Sequence, residues 1–160
     1  MITACVLTMS DRASAGKRED ESGPVIREML EGAGIGVKNW EILPDSKELI
    51  MQKLVNHAGA VDLIITTGGT GLSPRDVTPD ATLEVVDREV PGIAEAMRAA
   101  SLVKTPRAML SRAAAGVKGK ALIINLPGSP RGARENLEAV LGVIPHAVEK
   151  IKGSEEECAR

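Results

Sequence analysis

Residues 64–82 constrain the fold of this chain most strongly, because an apolar strand, a glycine-rich turn, an Arg-Asp pair and a helix start follow one another there without interruption. The apolar run 63–65 is typical of a central strand. Gly68, Gly69 and Gly71 allow positive φ angles, so several backbone N–H groups can point at one anion. We therefore expect a strand, turn and helix unit with a phosphate site at the turn.

The helix after this turn is predicted to begin with Thr78 as N-cap, Pro79 as first helical residue and Asp80 in the first turn. Arg75 and Asp76 then lie beside the turn. The pattern is not a Walker loop, because no Lys-Ser/Thr pair follows the glycines, and the three-glycine dinucleotide fingerprint lacks its third glycine. A turn that merely joins strand to helix is the alternative interpretation.

The length of 160 residues predicts one domain, which we place at residues 1–153, followed by a polar tail at 154–160. Phe and Tyr are absent and Trp40 is the only aromatic residue, so the core must be aliphatic. No apolar run is long enough to cross a bilayer, and the N-terminus lacks a basic segment before an apolar one. These features predict a cytoplasmic protein without a membrane partner.

The cysteines and histidines offer little for chemistry. Cys5 lies in a predicted buried strand and Cys158 in the polar tail, which fits a reducing compartment and excludes a cysteine metal site. His57 and His146 lie within or near the ends of predicted helices. We assign neither histidine a catalytic or metal-binding role.

The charge distribution is more informative than the net charge of −2, which itself disfavours nonspecific nucleic-acid binding. Apart from Trp40, no aromatic side chains are available to stack on single-stranded bases. The stretch 96–134 has no acid, and its cations are Arg98, Lys104, Arg107, Arg112, Lys118, Lys120, Arg131 and Arg134. An anionic ligand would suit this half, which supports the predicted phosphate site, and the alternative is a solvated set of surface cations.

Strands and helices alternate along the chain, which predicts an α/β fold in three layers, with a mostly parallel sheet and helices on both faces. The predicted strands are 2–9, 37–43, 63–67 and 120–125. The predicted helices are 23–33, 47–57, 79 to near 91, 92–101 and a last one from Pro130, which Pro145 should kink or interrupt.

Ligands of open α/β sheets bind beyond the carboxyl ends of the strands, and four polar clusters follow the predicted strands. They are 10–12 with the loop to 24, 44–46, 67–76 and 125–130. We expect them to share one crevice. Asp45 and Asp76 follow different strands, and two carboxylates that converge on phosphates are what Mg²⁺ requires.

Each of these acids has a structural alternative. Asp45 with Glu48 matches a helix capping box, which would account for Asp45 without a ligand. Asp76 could pair with Arg75. Ser129 before Pro130 is a good N-cap, and the preceding Gly128 shapes a backbone anion site, so cap and ligand roles can coexist there.

Six motifs in order resemble the MogA/MoaB family of molybdenum-cofactor biosynthesis, which includes the G domain of gephyrin. The match spans nearly the whole chain, and the opening Ser-Asp-Arg-Ala-Ser resembles the MogA branch more than MoaB. The motifs are SDRASAG at 10–16, DESGP at 20–24, TTGGTG at 66–71, RDVTPDAT at 75–82, MLSR at 109–112 and NLPGSP at 125–130.

The resemblance implies a molybdopterin adenylyltransferase that transfers AMP from Mg·ATP to the terminal phosphate of molybdopterin and releases pyrophosphate. It further implies a homotrimer and a molybdenum-insertion enzyme as a downstream partner. Asp45 and Asp76 become the catalytic acids and the Mg²⁺ ligands. The nucleotide phosphates would be held by Thr67, Gly68, Gly69, Thr70, Gly71 and Arg75. The molybdopterin groove would be lined by Ser10, Ser22, Ser111, Arg112, Gly128 and Ser129.

Two other functions remain open at this level. One is a pterin carrier or scaffold of the same fold, against which the presence of both Asp45 and Asp76 speaks. The other is a P-loop-like or dinucleotide-dependent enzyme, which the broken fingerprints do not support. The sequence does not distinguish molybdenum from tungsten as the destined metal.

Overall fold

A six-stranded sheet organises residues 1–155, the part of the chain that this computed structural model describes. Its strands are β1 (Thr3–Met9), β2 (Gly36–Leu43), β3 (Leu63–Thr67), β4 (Arg88–Glu89), β5 (Ala115–Lys118) and β6 (Ala121–Leu126). The spatial order is β2-β1-β3-β6-β5-β4, in which the first four strands run parallel and the last two pair antiparallel. The prediction of a mostly parallel sheet is confirmed.

Helices cover both faces of this sheet. They are α1 (Asp11–Ser14), α2 (Ser22–Gly32), α3 (Lys47–Ala58), α4 (Thr78–Val85), α5 (Pro91–Leu102), α6 (Pro130–Leu141) and α7 (Ile144–Ile151), with a 3₁₀ helix at Pro106–Leu110. Pro145 lies in the first turn of α7, where its missing N–H leaves no intrahelical bond unmade. The predicted interruption of the last helix at Pro145 is confirmed.

The helix that starts near Pro79 ends earlier than predicted. It stops at Val85, and Val86 takes an extended conformation instead of continuing to Pro91. The Asp87 N–H then donates to the Val117 carbonyl, which brings β4 beside β5. Neither β4 nor β5 was predicted from the sequence, because both strands are too short, at two and four residues, to show a clear alternating pattern.

Alternating side chains of the central strands fill two aliphatic cores, one on each face of the sheet. Ala4 and Val6 of β1 pack under α2, α5, α6 and α7, whereas Cys5 and Leu7 pack under α3 and α4. Each fully buried Leu or Ile contributes about 1.5–3 kcal/mol through its removal from water. The prediction of an aliphatic core is confirmed.

Cys5 is inert in this setting. Burial raises the pKa of its thiol to about 12, so the nucleophilic thiolate is absent at neutral pH. Cys158 and most of the predicted tail lie outside the described residues. Within residues 1–155, no helix combines the length and apolar character that crossing a bilayer requires.

Candidate active site

A cavity of about 500 Å³ opens at the carboxyl ends of the parallel strands. Its wall is formed by residues 8–13 and 18–22 at and after the end of β1, Asp45 after β2, residues 67–69 and Asp76 at and after the end of β3, and residues 128–130 after β6. All four polar clusters therefore share one crevice, as predicted. The parallel arrangement is the cause, since parallel neighbours end at the same edge of the sheet.

The glycine turn after β3 is shaped by close packing. Gly68 and Gly69 have φ angles of +94° and +67°. A Cβ on Gly68 would lie 2.3 Å from the Met9 carbonyl oxygen, and one on Gly69 would lie 2.3 Å from Thr78 Oγ1. Side chains are excluded at both positions by conformation and by space.

Two expectations about this turn were wrong. Gly71 does not take a positive φ; it is small because a Cβ there would lie 2.9 Å from Asp76 Oδ2. The Gly68 N–H donates to the Leu126 carbonyl and is not free for an anion. Gly68 and Gly69 both line the cavity, and of the two it is Gly69 whose N–H makes no such bond to a strand carbonyl among the described residues.

Asp45 and Asp76 both line the cavity, and neither takes its structural alternative. Ser46, not Asp45, caps α3, with its hydroxyl accepting from the Leu49 N–H. Asp76 accepts the Ser73 N–H at 2.9 Å and forms no ion pair with Arg75. Burial raises the pKa of Asp45, and the charges of Asp11 and Asp76 raise it further. Asp76 is thus near enough to influence the ionisation of Asp45.

Arg75 lies outside the cavity wall and contacts Asp11. Its Nε and Nη2 atoms donate to the two carboxylate oxygens of Asp11, both at 2.9 Å. This pairing lowers the pKa of Asp11. The backbone N–H groups of Asp11 and Asp45 each donate to the other residue's carboxylate, so Arg75, Asp11 and Asp45 form one connected group.

The floor of the cavity contains a buried carboxylate that sequence reasoning missed. Asp20 accepts hydrogen bonds from four donors, on Thr8, Ser22, Gly23 and Trp40. The hydroxyl of Thr67 donates to the Pro127 carbonyl at 2.7 Å and lies 3.1 Å from the Ser22 hydroxyl. The available signal was Asp20 at the start of the motif 20–24 together with Trp40, an indole donor that needs an acceptor.

Ser10, Gly128 and Ser129 lie on the cavity wall as the resemblance implied. Ser10 caps α1 through the Ala13 N–H, and Ser129 caps α6 through the Gly132 N–H, both at 3.1 Å. Thr78 was predicted as an N-cap but is the first helical residue of α4, after Val77. The prediction of a cap at Ser129 is confirmed and the one at Thr78 is wrong.

Ser111 and Arg112 lie elsewhere, on a second cavity of about 280 Å³. The Arg112 guanidinium donates to the Gly71 carbonyl at 2.9 Å, to the Asp76 carbonyl at 2.6 Å and to both carboxylate oxygens of Asp80. The Arg112 N–H donates to the Thr70 carbonyl. Thr70, Gly71 and Arg112 therefore stabilise the glycine turn on the side away from the main cavity, whose wall they do not form.

The acid-free stretch does not supply the main cavity with positive charge. Most of its cations pair with acids elsewhere, in the pairs Lys104–Glu135, Arg131–Glu135, Arg134–Glu28, Arg112–Asp80 and Lys118–Asp87. Within the described part of the chain, the cations on the cavity wall are Arg12 and Arg18. Neither arginine has a charged partner among residues 1–155, and both were missed as site residues although Arg12 stands in the first motif.

The acidic donors fit magnesium. No cluster of three or more acids, histidines or cysteines suited to a metal exists among the described residues. Mg²⁺ is held in proteins by one or two carboxylates together with water and substrate phosphate, which matches Asp45 and Asp76. Thr78 Oγ1 is buried without a hydrogen-bond partner, and the position of a Gly69 Cβ lies within 3.2 Å of both this atom and Asp45 Oδ1.

The comparisons with known proteins agree with this geometry. Residues 5–146 match the family described as "Probable molybdopterin binding domain". The chain is 46% identical to the molybdopterin adenylyltransferase of Helicobacter pylori strain J99 over 93% of this chain and 87% of that protein. It is also 46% identical to gephyrin of Dictyostelium discoideum, over 89% of this chain and 21% of that longer protein.

The fold is equally similar to solved structures. The crystal structure of the molybdopterin biosynthesis enzyme MoaB from Thermus thermophilus has a TM-score of 0.91 and 52% identity, covering 96% of this chain and 98% of that one. Because that structure carries the MoaB name, assignment to the MogA branch stays a prediction. The shared fold, the matched family model and the motifs around the cavity together show that the chain belongs to the MogA/MoaB family of molybdenum-cofactor biosynthesis.

Proposed function

We propose that this chain is a molybdopterin adenylyltransferase, which transfers AMP from Mg·ATP to the terminal phosphate of molybdopterin. The observation that carries the proposal is the pair Asp45 and Asp76, which face one cavity beside the Gly68–Gly69 turn at the strand ends. The names of the relatives support the same activity. Two acids beside this glycine turn speak against a carrier, because they suit Mg²⁺-dependent phosphate chemistry that a carrier does not perform.

The reaction needs no side-chain nucleophile. A phosphate oxygen of molybdopterin attacks the α-phosphorus of ATP, a new P–O–P bond forms, and the bond to the β-phosphate oxygen breaks to release pyrophosphate. Asp45 and Asp76 would hold Mg²⁺, which neutralises charge on the phosphate oxygens when it is bound. The Gly69 N–H would donate to a phosphoryl oxygen as charge develops on it.

The remaining wall residues would bind and orient the substrates. Ser10, Ser22, Gly128 and Ser129 would contact the pterin or the nucleotide, and Thr67 would fix the floor. Arg12 and Arg18 would attract the phosphates, since they are the wall cations that other described residues leave without a charged partner. Thr70, Gly71 and Arg112 would act indirectly, by supporting the turn.

Assembly and location are part of the proposal. We expect a cytoplasmic homotrimer that passes its product to a molybdenum-insertion enzyme, as the resemblance implies. Exposed aliphatic side chains near the second cavity could supply the interface, namely Leu72, Leu83, Met109 and Leu110. Such residues suit an interface core in a chain that lacks Phe and Tyr.

The proposal is tested by incubating the protein with molybdopterin and Mg·ATP and measuring the product by mass. Adenylylated molybdopterin and one pyrophosphate per product are expected, and both should disappear when EDTA removes Mg²⁺. Binding of molybdopterin without any product would support the carrier function instead. A nucleotide screen completes the test, because preference for a dinucleotide over ATP would favour a dinucleotide-dependent enzyme.

A further inference from the structure

We propose that Asp11 and Arg75 are positioning residues that hold Asp45 and Asp76 at a fixed separation, and that Arg75 does not itself bind phosphate. This inference rests on the proposed function of the cavity. It assigns a task to two residues that lie next to the proposed catalytic acids. Arg75 directly precedes Asp76 in the chain, and Asp11 begins α1 at the end of β1.

Asp11 and Asp45 are joined by a reciprocal pair of hydrogen bonds. The Asp11 N–H donates to Asp45 Oδ2 at 3.0 Å, and the Asp45 N–H donates to Asp11 Oδ1 at 2.9 Å. Both the backbone and the side chain of Asp45 are therefore fixed by a single neighbour. Asp45 Oδ2 is thereby occupied, whereas Oδ1 points towards Gly69 and accepts no hydrogen bond from the described residues.

Arg75 completes the link between the two acids. Its guanidinium grips both oxygens of Asp11 in the planar two-bond arrangement that fixes orientation as well as distance. The chain then passes directly from Arg75 to Asp76. The loops after β1, β2 and β3 are thus tied together around the point where the two acids meet the cavity.

Because the Arg75–Asp11 pair is exposed, we expect it to orient Asp45 and not to stabilise the fold. The Arg75 and Asp11 side chains are 65% and 40% exposed. Exposed ion pairs contribute little to the free energy of folding, because solvent screens them. Removing the pair should therefore leave the fold intact while it releases Asp45 from its fixed orientation.

A direct role of Arg75 at the phosphates is the competing interpretation. For that role the N–H donors of Arg75 that Asp11 does not use, chiefly those on Nη1, would have to reach the phosphates. The two interpretations differ in one measurable respect. A positioning role requires Asp11 for its effect, whereas direct phosphate binding does not.

A double-mutant cycle separates them, with Arg75→Ala, Asp11→Ala and the double variant. We expect each single variant to lower kcat about tenfold with KM for ATP within about twofold of wild type, and the double variant to be no worse than the poorer single one. Arg27→Ala is the matched control, because it removes another exposed arginine paired with a carboxylate, Glu31, outside the cavity. Its kcat should equal that of wild type.

The amide signal of Asp45 in nuclear magnetic resonance provides a readout that needs no turnover. Because its N–H donates to the Asp11 carboxylate, Arg75→Ala should shift this signal upfield and speed its hydrogen exchange, whereas Arg27→Ala should do neither. An unchanged Asp45 amide in Arg75→Ala would overturn the inference. So would a rise in KM for ATP on loss of Arg75 that is equal with and without Asp11. The amide result stands even if wild type shows no adenylyl transfer, which would reject only the proposed function.

Discussion

The two sides of the glycine turn differ in how far their polar groups are already satisfied. On the side of the second cavity, Arg112 donates to two carbonyls and to Asp80, so its capacity is used within the protein. On the side of the main cavity, Asp45 Oδ1 and Thr78 Oγ1 accept or donate nothing among residues 1–155. In this protein the proposed ligand site lies where hydrogen-bonding groups are unused and not where positive charge concentrates in the sequence.

The largest expected effect on stability is that of Gly69→Ala, which changes the glycine turn that lies between the two cavities. The new Cβ would lie 2.3 Å from Thr78 Oγ1, at a φ of +67° that non-glycine residues rarely adopt. We expect a loss of about 3 kcal/mol in the free energy of unfolding, from backbone strain and overpacking together. Urea denaturation measures it, and ATP affinity of the folded fraction should fall as well.

Gly34→Ala is the matched control for this prediction. Gly34 has a similar φ of +78° but no atom within 4 Å of an added Cβ. Only the strain of about 1 kcal/mol should remain. Equal losses for the two variants would mean that the contact with Thr78 does not shape the turn.

The next largest effect is expected on the side of the second cavity, where the hydrogen bonds of Arg112 are made within the protein. Arg112→Ala removes charged hydrogen bonds to the Gly71 and Asp76 carbonyls, so we expect a loss of about 2 kcal/mol in unfolding free energy. Affinity for ATP should fall only through the loosened turn and should keep the salt dependence of wild type. A stable variant whose ATP binding has lost its salt dependence would instead make Arg112 a direct phosphate ligand.

A smaller effect is expected from the cations of the open side. Arg12→Gln and Arg18→Gln should each weaken ATP binding about fivefold at low salt, less at high salt, because they remove the wall charges that attract phosphate. Titration calorimetry at two ionic strengths measures this. Arg131→Gln is the control, since Arg131 is exposed and paired with Glu135 on α6. If ATP affinity changes neither with both substitutions nor with salt, the phosphates are bound by backbone N–H groups alone and not by Arg12 and Arg18.

The smallest effect on the site itself should come from the surface beside the second cavity. Light scattering should give three times the monomer mass of 16.8 kDa for wild type. Met109→Asp should lower the measured mass if the exposed aliphatic residues form the interface, because a charge is disfavoured there. A wild-type mass equal to the monomer rejects the trimer, and an unaltered mass in Met109→Asp moves the interface elsewhere.

Much of this fold could be predicted from the sequence. The central strands were found because apolar runs such as 63–65 are bounded by glycine and polar residues, and the interruption at Pro145 follows from the missing N–H. The strands β4 and β5 were not predicted, because two and four residues are too few to show an alternating pattern. The early end of α4 at Val85 was not predicted either, because the chain beyond it hydrogen-bonds to the distant Val117.

The site was predicted unevenly for a related reason. Its location followed from the rule that parallel strands end at one edge, so Asp45, Asp76 and the turn at 67–69 were found together. The partner of Arg75 and the position of Arg112 were missed, because pairing between loops is decided by tertiary distances. Residue type predicted that these arginines bind acceptors, but not that the acceptors belong to the protein.

The most direct test of the account compares two acids that lie on opposite sides of the turn, Asp76 and Asp80. Asp76→Asn keeps the shape and the hydrogen bond from Ser73 but removes a charge from the proposed metal and phosphate site. We predict at least a tenfold loss of adenylyl transfer, about 1.4 kcal/mol of barrier, with an unchanged melting temperature. Asp80→Asn, which weakens the pairing with Arg112 outside the main cavity, should stay within about threefold of wild type. Wild-type turnover in Asp76→Asn, or an equal loss in both variants, would contradict the assignment of catalysis to the main cavity.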